Sequence, residues 1–436
     1  MHGDGQTFGR ELRKLRLAAG VTLSVLARTV HYSKGHLSKV ERGAKAPNRE
    51  LAQLCDGALR TGGVLLAMLS TADSSPSLMR EVDGGDSIEE EVWIMQFSPA
   101  GESWFQPIGR RQIVAAGMAS AMAVGLGSPS TAATGSDLAD SSTVAVFQTL
   151  FENYRRLGQS VGPGVVLPAL IAHTNTLREL SVHAAPRVRR ELLRLGSRYA
   201  EYVGWLMQER GDDSAALWWT QRAVELAAAG GDRQLAAYAK VRHALVTLYR
   251  DEGDETVALA RQARDGALPP RIRGLAVQRE AQGHAINGDY DACMWCLDQA
   301  RELLAAAVPD EGVPVIGSTN LSDSVGMITG WCLLDLGRPA RAADVLDAQM
   351  RQVPAEAART RARYGTRQAR AHATAGDIEH ACELARWVLP DVLAVSSATI
   401  AADLRELLRT LKRHPQNASV QELAPILTAA LTVVTP

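Results

Sequence analysis

The chain has 436 residues, enough for two or three domains with buried cores, and its Ala/Leu/Arg-rich, aromatic-poor composition reads as mainly helical. Five cysteines without disulfide-framework spacing point to a reducing compartment. The opening stretch has no apolar secretion core, and no run reaches the roughly 20 apolar residues of a membrane span, so a cytoplasmic protein with no membrane contact is expected. The net charge of −1 hides an asymmetry: residues 1–70 carry 11 Lys and Arg against 5 Asp and Glu, the remainder 36 against 43. A small basic module ahead of an acidic body places any polyanion contact in the first part.

In chain order, "TFGRELRKLRLAAG" sets Phe8, Leu12, Leu15 and Ala19 at helical spacing, with Gly20 as the stop. Thr22 then caps "LSVLARTV", whose apolar stripe is Leu23, Leu26, Ala27 and Val30. Ser33 caps the next helix, with Leu37 and Val40 inward and Gly43 ending it. Two short helices joined by a tight turn, with a small Ala where they cross, make a helix-turn-helix. Leu51, Leu54 and Leu59 of the following helix are available to close its core.

On these residues the stretch "TLSVLARTVHYSKGHLSKVERG" resembles the Xre and lambda-repressor family of DNA-binding domains, over about residues 8–66. Thr22, Leu26, Ala27, Ser33, Leu37, Ser38, Lys39, Val40, Glu41 and Gly43 fall on the family's run. Two positions depart from it. Leu23 stands where a phosphate-binding Gln is common, and His31 stands at a turn position usually given to Gly, which often needs positive φ. The resemblance implies that the second helix of the pair enters the major groove, with Lys34, Gly35, His36, Ser38 and Lys39 facing DNA. Ser33, at the helix N-terminus, together with Arg28, Arg42 and Lys45, would then serve phosphates. Arg16 and Glu41 are expected to pair inside the module.

Residues 71–142 read as a linker rich in Ser, Asp, Gly and Pro, with one short element at "IEEEVWIMQFS" and a short docked helix within "GRRQIVAAGMASAMAVGLG". From about Thr143 the chain repeats itself. "GWLMQERGDDSAA" and "GWCLLDLGRPARAA" share a pattern, and turn glycines recur at Gly211, Gly253, Gly288, Gly337 and Gly376, 35 to 49 residues apart. Five positions after each stands Ala216, Ala258, Cys293, Ala342 or Ala381; seven before stands Gly204, Val246, Ala281, Gly330 or Ala369. Small residues at matched places on consecutive helices let the pair pack closely. The array is similar to tetratricopeptide repeats, which implies an α-solenoid over residues 143–436 with a concave surface. The fold class expected for the whole chain is all-α.

Catalysis is not expected. "CMWC" (Cys293, Cys296) lacks a second ligand pair and Cys293 fills a small-residue slot, so core packing, with no metal or cofactor, is the reading. No phosphate loop, nucleophile elbow or His-based triad is present in the sequence. Carrying the repeat's concave positions across the array nominates Arg198, Glu201, Trp205, Lys240, His243, Arg250, Gln278, Gln282, Trp331, Arg363 and Arg370 as a ligand face for a peptide or small molecule. The chain resembles repeat-containing Xre-type regulators of actinobacteria. It is expected to bind a double-stranded operator as a homodimer and to sense an effector. A scaffold that binds a protein partner, with the helix-turn-helix for docking, is the alternative.

Overall fold

The computed structural model describes residues 4–70, 91–97, 103–109, 141–308, 314–317 and 320–434. The docked helix expected within residues 109–127 falls, from residue 110 on, outside the described residues, as does most of the linker. Among the described residues the chain is all-α apart from one antiparallel hairpin, β1 (Glu91–Phe97) and β2 (Ser103–Gly109), in which Ile94 pairs with Gln106. The short element expected at residues 88–98 is the first of these strands.

Five helices form the N-terminal module: α1 (Asp4–Ala18), α2 (Leu23–Thr29), α3 (Lys34–Glu41), α4 (Arg49–Leu59) and α5 (Val64–Ser70). Thr22 and Ser33 cap α2 and α3, accepting from the amides of Val25 and His36. Phe8, Leu12, Leu26, Val30, Leu37, Val40 and Leu51 are at most 1% exposed and make the core, which α5 closes with Leu65 and Leu66. Leu23 packs against this core. Arg16 holds Glu41 with two bonds, Nε to Oε1 at 2.6 Å and Nη2 to Oε2 at 3.0 Å, and so ties α1 to α3.

Seven helical hairpins follow in an α-solenoid. They are α6 (Ser141–Leu157) with α7 (Pro163–His183), α8 (Pro186–Glu209) with α9 (Asp213–Ala229), and α10 (Leu235–Tyr249) with α11 (Gly253–Arg264). Next come α12 (Pro270–Ile286) with α13 (Tyr290–Ala305) and α14 (Ser324–Asp335) with α15 (Pro339–Met350). The last are α16 (Ala358–Ala375) with α17 (Ile378–Val395) and α18 (Ala398–Leu411) with α19 (Ala418–Val434). Gly211, Gly288, Gly337 and Gly376 take positive φ in their turns. The second repeat corrects the expected register. There Asp251 supplies the left-handed residue (φ 60°), and Gly253 is already the first residue of α11. Counted from Asp251, the small positions become Ala244 and Thr256, both fully buried, whereas Ala258 is exposed.

The array curls until its sixth hairpin meets its first. Arg359 on α16, 1% exposed, donates to the carbonyls of Gly158 (2.8 Å) and Val161 (2.7 Å) at the α6–α7 turn and to Glu209 Oε2 (2.9 Å) at the end of α8. This closure turns the concave groove into a deep, partly open cavity.

The N-terminal module sits on the turns of the later repeats. Backbones approach closely: a Cβ on Gly57 would lie 2.6 Å from the Gly337 oxygen, and one on Gly288 would lie 2.7 Å from Gly63 Cα. Only glycine allows these contacts. Arg49 Nη2 donates to the Ile286 carbonyl, buried Glu50 accepts from Arg413 and Thr410, and the Arg413 guanidinium lies 4.4 Å from the Tyr32 ring centroid.

Candidate functional site

The basic face of the module is built on α3. Its cap fixes the helix start, and Leu37 and Val40 anchor one side, so the opposite side points outward. Lys34, Gly35 and Lys39 are exposed, and no atom lies within 4 Å of a Cβ built on Gly35, so backbone and side chains are open to a groove. Arg28 at the end of α2, with Ser33, Arg42 and Lys45, is exposed around them, and Ser38 is half-buried between. Arg42 Nε donates to the Ser38 carbonyl at 3.1 Å. His36 is less free than its neighbours. Its ring meets Tyr32 edge-on at 5.0 Å and Lys45 Nζ lies 3.3 Å from Nδ1. Burial, then the charges of Lys45, Arg413 and Lys39, hold the His36 pKa below its ordinary value, so the ring is neutral at pH 7. His31 takes φ 52° at the turn, the conformation that glycine usually supplies.

The second site is a cavity of about 680 Å³ inside the solenoid. Its wall comes from the first helix of successive hairpins. From α8 come Arg198, Glu201 and Trp205; from α10, Tyr238, Arg242 and Tyr249; from α12, Gln278 and Arg279; from α14, Trp331; from α16, Arg359 and Arg363. Val315 and Gly317 also line the cavity, held by Arg155 through their carbonyls (3.0 and 2.9 Å), while Arg271 holds that of Ile316 (2.7 Å). Glu201 bonds Arg242, and Glu209 bonds both Arg359 and Arg363. Burial would raise the Glu209 carboxyl, but Arg363, Arg359 and the hydroxyls of Ser397 and Thr399 outweigh it and bring it down to about 2.

Six of the eleven nominated ligand residues line this cavity: Arg198, Glu201, Trp205, Gln278, Trp331 and Arg363. Lys240, His243 and Arg250 do not, because they were counted from Gly253. Shifting the count by the two residues to Asp251 replaces their positions with Tyr238, Val241 and Leu248, and the first two of these are in the wall. A two-residue slip rotates a helix position by about 200°, onto the opposite face. Lys240 and Arg250 are exposed instead, with Arg250 paired to Asp213 at 2.9 Å. Gln282 is fully buried, accepting from Arg279, and Arg370 lies within electrostatic reach of Asp335 and Asp403. The sequence reasoning missed Tyr238, Arg242, Arg279 and Arg359. Tyr238 was hidden by the same slip. Arg359 was hidden because its partners come from hairpins about 150 to 200 residues earlier in the chain.

Cys293 and Cys332 are both buried in the core between α13 and α14. The ligand atoms of Cys296, Glu280 and His284 lie within 4.8 Å of one another. Both Glu280 oxygens already meet cations, Arg261 and Arg264 at 2.8 Å each, and burial followed by Glu280 pushes the Cys296 thiol up to about 12. A metal would be a third positive charge on one carboxylate, beside a thiol that resists ionisation.

Residues 7–69 match the family model described as a helix-turn-helix domain. No curated protein and no solved structure matches the chain. With the exposed basic face of α3, that match makes the N-terminal module a DNA-binding helix-turn-helix of the transcription-regulating kind. Among the described residues no helix is long and apolar enough to cross a membrane.

Proposed function

We propose that the chain is a one-component transcription regulator. In this reading the helix-turn-helix module reads double-stranded operator DNA, and the tetratricopeptide-like solenoid takes an effector into its cavity. The supporting observation is continuity. The helices whose side chains line the cavity (α10, α12, α14 and α16) end in the turns on which the DNA-binding module rests. An occupant that shifts those helices shifts the module's seat. An effector regulates only if it binds the DNA-competent and incompetent arrangements with different affinity, and this platform can carry such a difference.

The cavity volume favours a small molecule over an extended peptide, since pockets for drug-sized ligands span roughly 300–1,000 Å³. One helix-turn-helix buries too little surface for tight specific binding, so two chains about a two-fold axis complete the reading, with half-sites about one helical turn apart or a multiple of it. No catalytic role is assigned.

The test begins with selection of duplexes from a random library by the full chain. The consensus is then titrated with and without culture extract, and the number of chains per duplex is read by sedimentation. Leu275→Trp, which projects bulk into the cavity from α12, should leave DNA binding intact and remove the response to extract. An equal response in both proteins refutes the cavity as sensor, and one chain per duplex refutes the dimer.

A further inference from the structure

Nine arginines line the cavity against five carboxylates, although residues 143–436 as a whole carry equal numbers of basic and acidic side chains, 33 of each. Three of the carboxylates stand beside arginines of the same wall: Glu201 with Arg242, Glu209 with Arg359 and Arg363, and Glu152 at 3.7 Å from Arg155. Asp323 is engaged otherwise, capping α14 through the Gly326 amide at 2.7 Å and accepting from Gln349 at 3.2 Å.

Arg198 and Arg301 pair with Asp232 and Asp298, Arg271 holds the Ile316 carbonyl and Arg156 is exposed; Arg279 is different. It stands on α12, the middle first helix of the cavity wall, and no described carboxylate oxygen lies within ion-pair distance of it. Its one hydrogen bond goes to the neutral side-chain oxygen of Gln282, and its buried Nε has no partner. Burial lowers its pKa, Tyr364 and Tyr238 offset part of this, and Arg242 adds to it, so its charge is held at a cost. A half-buried cation without a counter-charge is costly, and such a group persists where something binds to it. Tyr238, Tyr249 and Tyr364 stand around it, and Trp205 and Trp331 face the same space.

We propose that the cavity selects an organic anion: a carboxylate or phosphate headgroup neutralised by Arg279, on a flat apolar body that stacks among the Trp and Tyr rings. This rests on the reading of the cavity as the effector site and adds the chemical class of the occupant. Guanidinium suits either headgroup, because both offer paired oxygens. The aromatic wall supplies apolar contact area that the headgroup alone lacks.

The probes are 8-anilinonaphthalene-1-sulfonate, an aromatic anion that fluoresces in apolar sites, and N-phenyl-1-naphthylamine, a related dye without the sulfonate. The full chain should bind the anionic dye at one site. Arg279→Met should weaken that binding at least tenfold, Arg279→Lys should retain it, and the neutral dye should bind wild type and Arg279→Met within twofold of each other. Circular dichroism checks folding, and Arg279→Gln replaces the Met variant if that one does not fold. Displacement by 1-naphthoate or by 1-naphthyl phosphate supports the proposal and identifies the headgroup; displacement by neither overturns it. Equal affinity of the anionic dye for wild type and Arg279→Met overturns anion selection and, with the neutral dye bound, leaves the cavity reading standing. Binding of neither dye overturns both.

Discussion

Arg49 Nη2 donates to the carbonyl oxygen of Ile286 at 2.9 Å, joining the first residue of α4 in the DNA-binding module to the last residue of α12 in the cavity wall. From Arg279 to Ile286 the helix advances about 10 Å, so cavity and module are two turns of one rigid rod apart. Glu50 makes the companion contact, accepting from Arg413 and Thr410 near the end of α18. These bonds are the polar part of a seat completed by close glycine backbones, by Arg413 on the Tyr32 ring and by the His31 ring at Gly376.

Replacing Arg49 by Ala and Glu50 by Gln should therefore loosen the seat without unfolding either part. Amide exchange along α4 should accelerate roughly ten- to a hundredfold, the equivalent of about 1.4–2.8 kcal/mol of lost protection. Operator affinity in the double variant should no longer follow occupancy of the cavity. Unchanged exchange along α4, measured by mass spectrometry on the full chain, would show that the remaining contacts of the seat hold the module alone.

Much of the module was legible in the sequence because its determinants are local. The caps Thr22 and Ser33, the apolar stripes and the Arg16–Glu41 pair lie within a few dozen residues and follow helical spacing. His31 was recognisable as a residue in a glycine position, but not its surroundings: its ring faces Gly376 of a distant repeat turn. The solenoid was legible as helices and turns, and the one slip came from taking Gly253 as the left-handed residue. Asp251 holds that conformation, since aspartate tolerates it through local hydrogen bonding. The closing of the groove into a cavity was not legible, because it depends on curvature summed over six hairpins and on Arg359 meeting carbonyls about 200 residues away.

That closure predicts an acid sensitivity. The Glu209 carboxyl titrates near 4.5 when unfolded and near 2 when folded, where Arg359 and Arg363 face it. A depressed carboxylate pKa gives stabilisation that is complete above pH 4.5 and is lost as the pH falls from there toward 2. Glu209→Gln leaves two buried guanidinium groups without their counter-charge, so at neutral pH it should destabilise the solenoid by about 3–5 kcal/mol. The variant should also lack the wild type's extra loss of stability between pH 4.5 and 2. Urea unfolding followed by circular dichroism across that range reads both effects. Parallel pH curves for the two proteins would remove Glu209 as the source of the acid limb.

The exposed face of α3 sets the last expectation. Lys34 and Lys39 are free of ion pairs among the described residues and lie on the outward side of the helix, Lys39 beyond Leu37 and Val40. A lysine on a guanine edge contributes sequence discrimination of about 1–3 kcal/mol, so Lys34→Ala with Lys39→Ala should abolish preference for the selected duplex over a scrambled one. Arg28 stands outside that helix, exposed at the end of α2, where a phosphate rather than a base edge would meet it. Arg28→Ala should weaken specific and scrambled duplexes alike and reduce the slope of log affinity against log salt by about 0.9. Both variants keep the module's core and the Arg16–Glu41 tie, so their melting should match wild type. Fluorescence anisotropy against both duplexes at several salt concentrations separates the two roles. If the double lysine variant still prefers the selected duplex, α3 does not read the bases, and the sequence discrimination must come from another part of the chain.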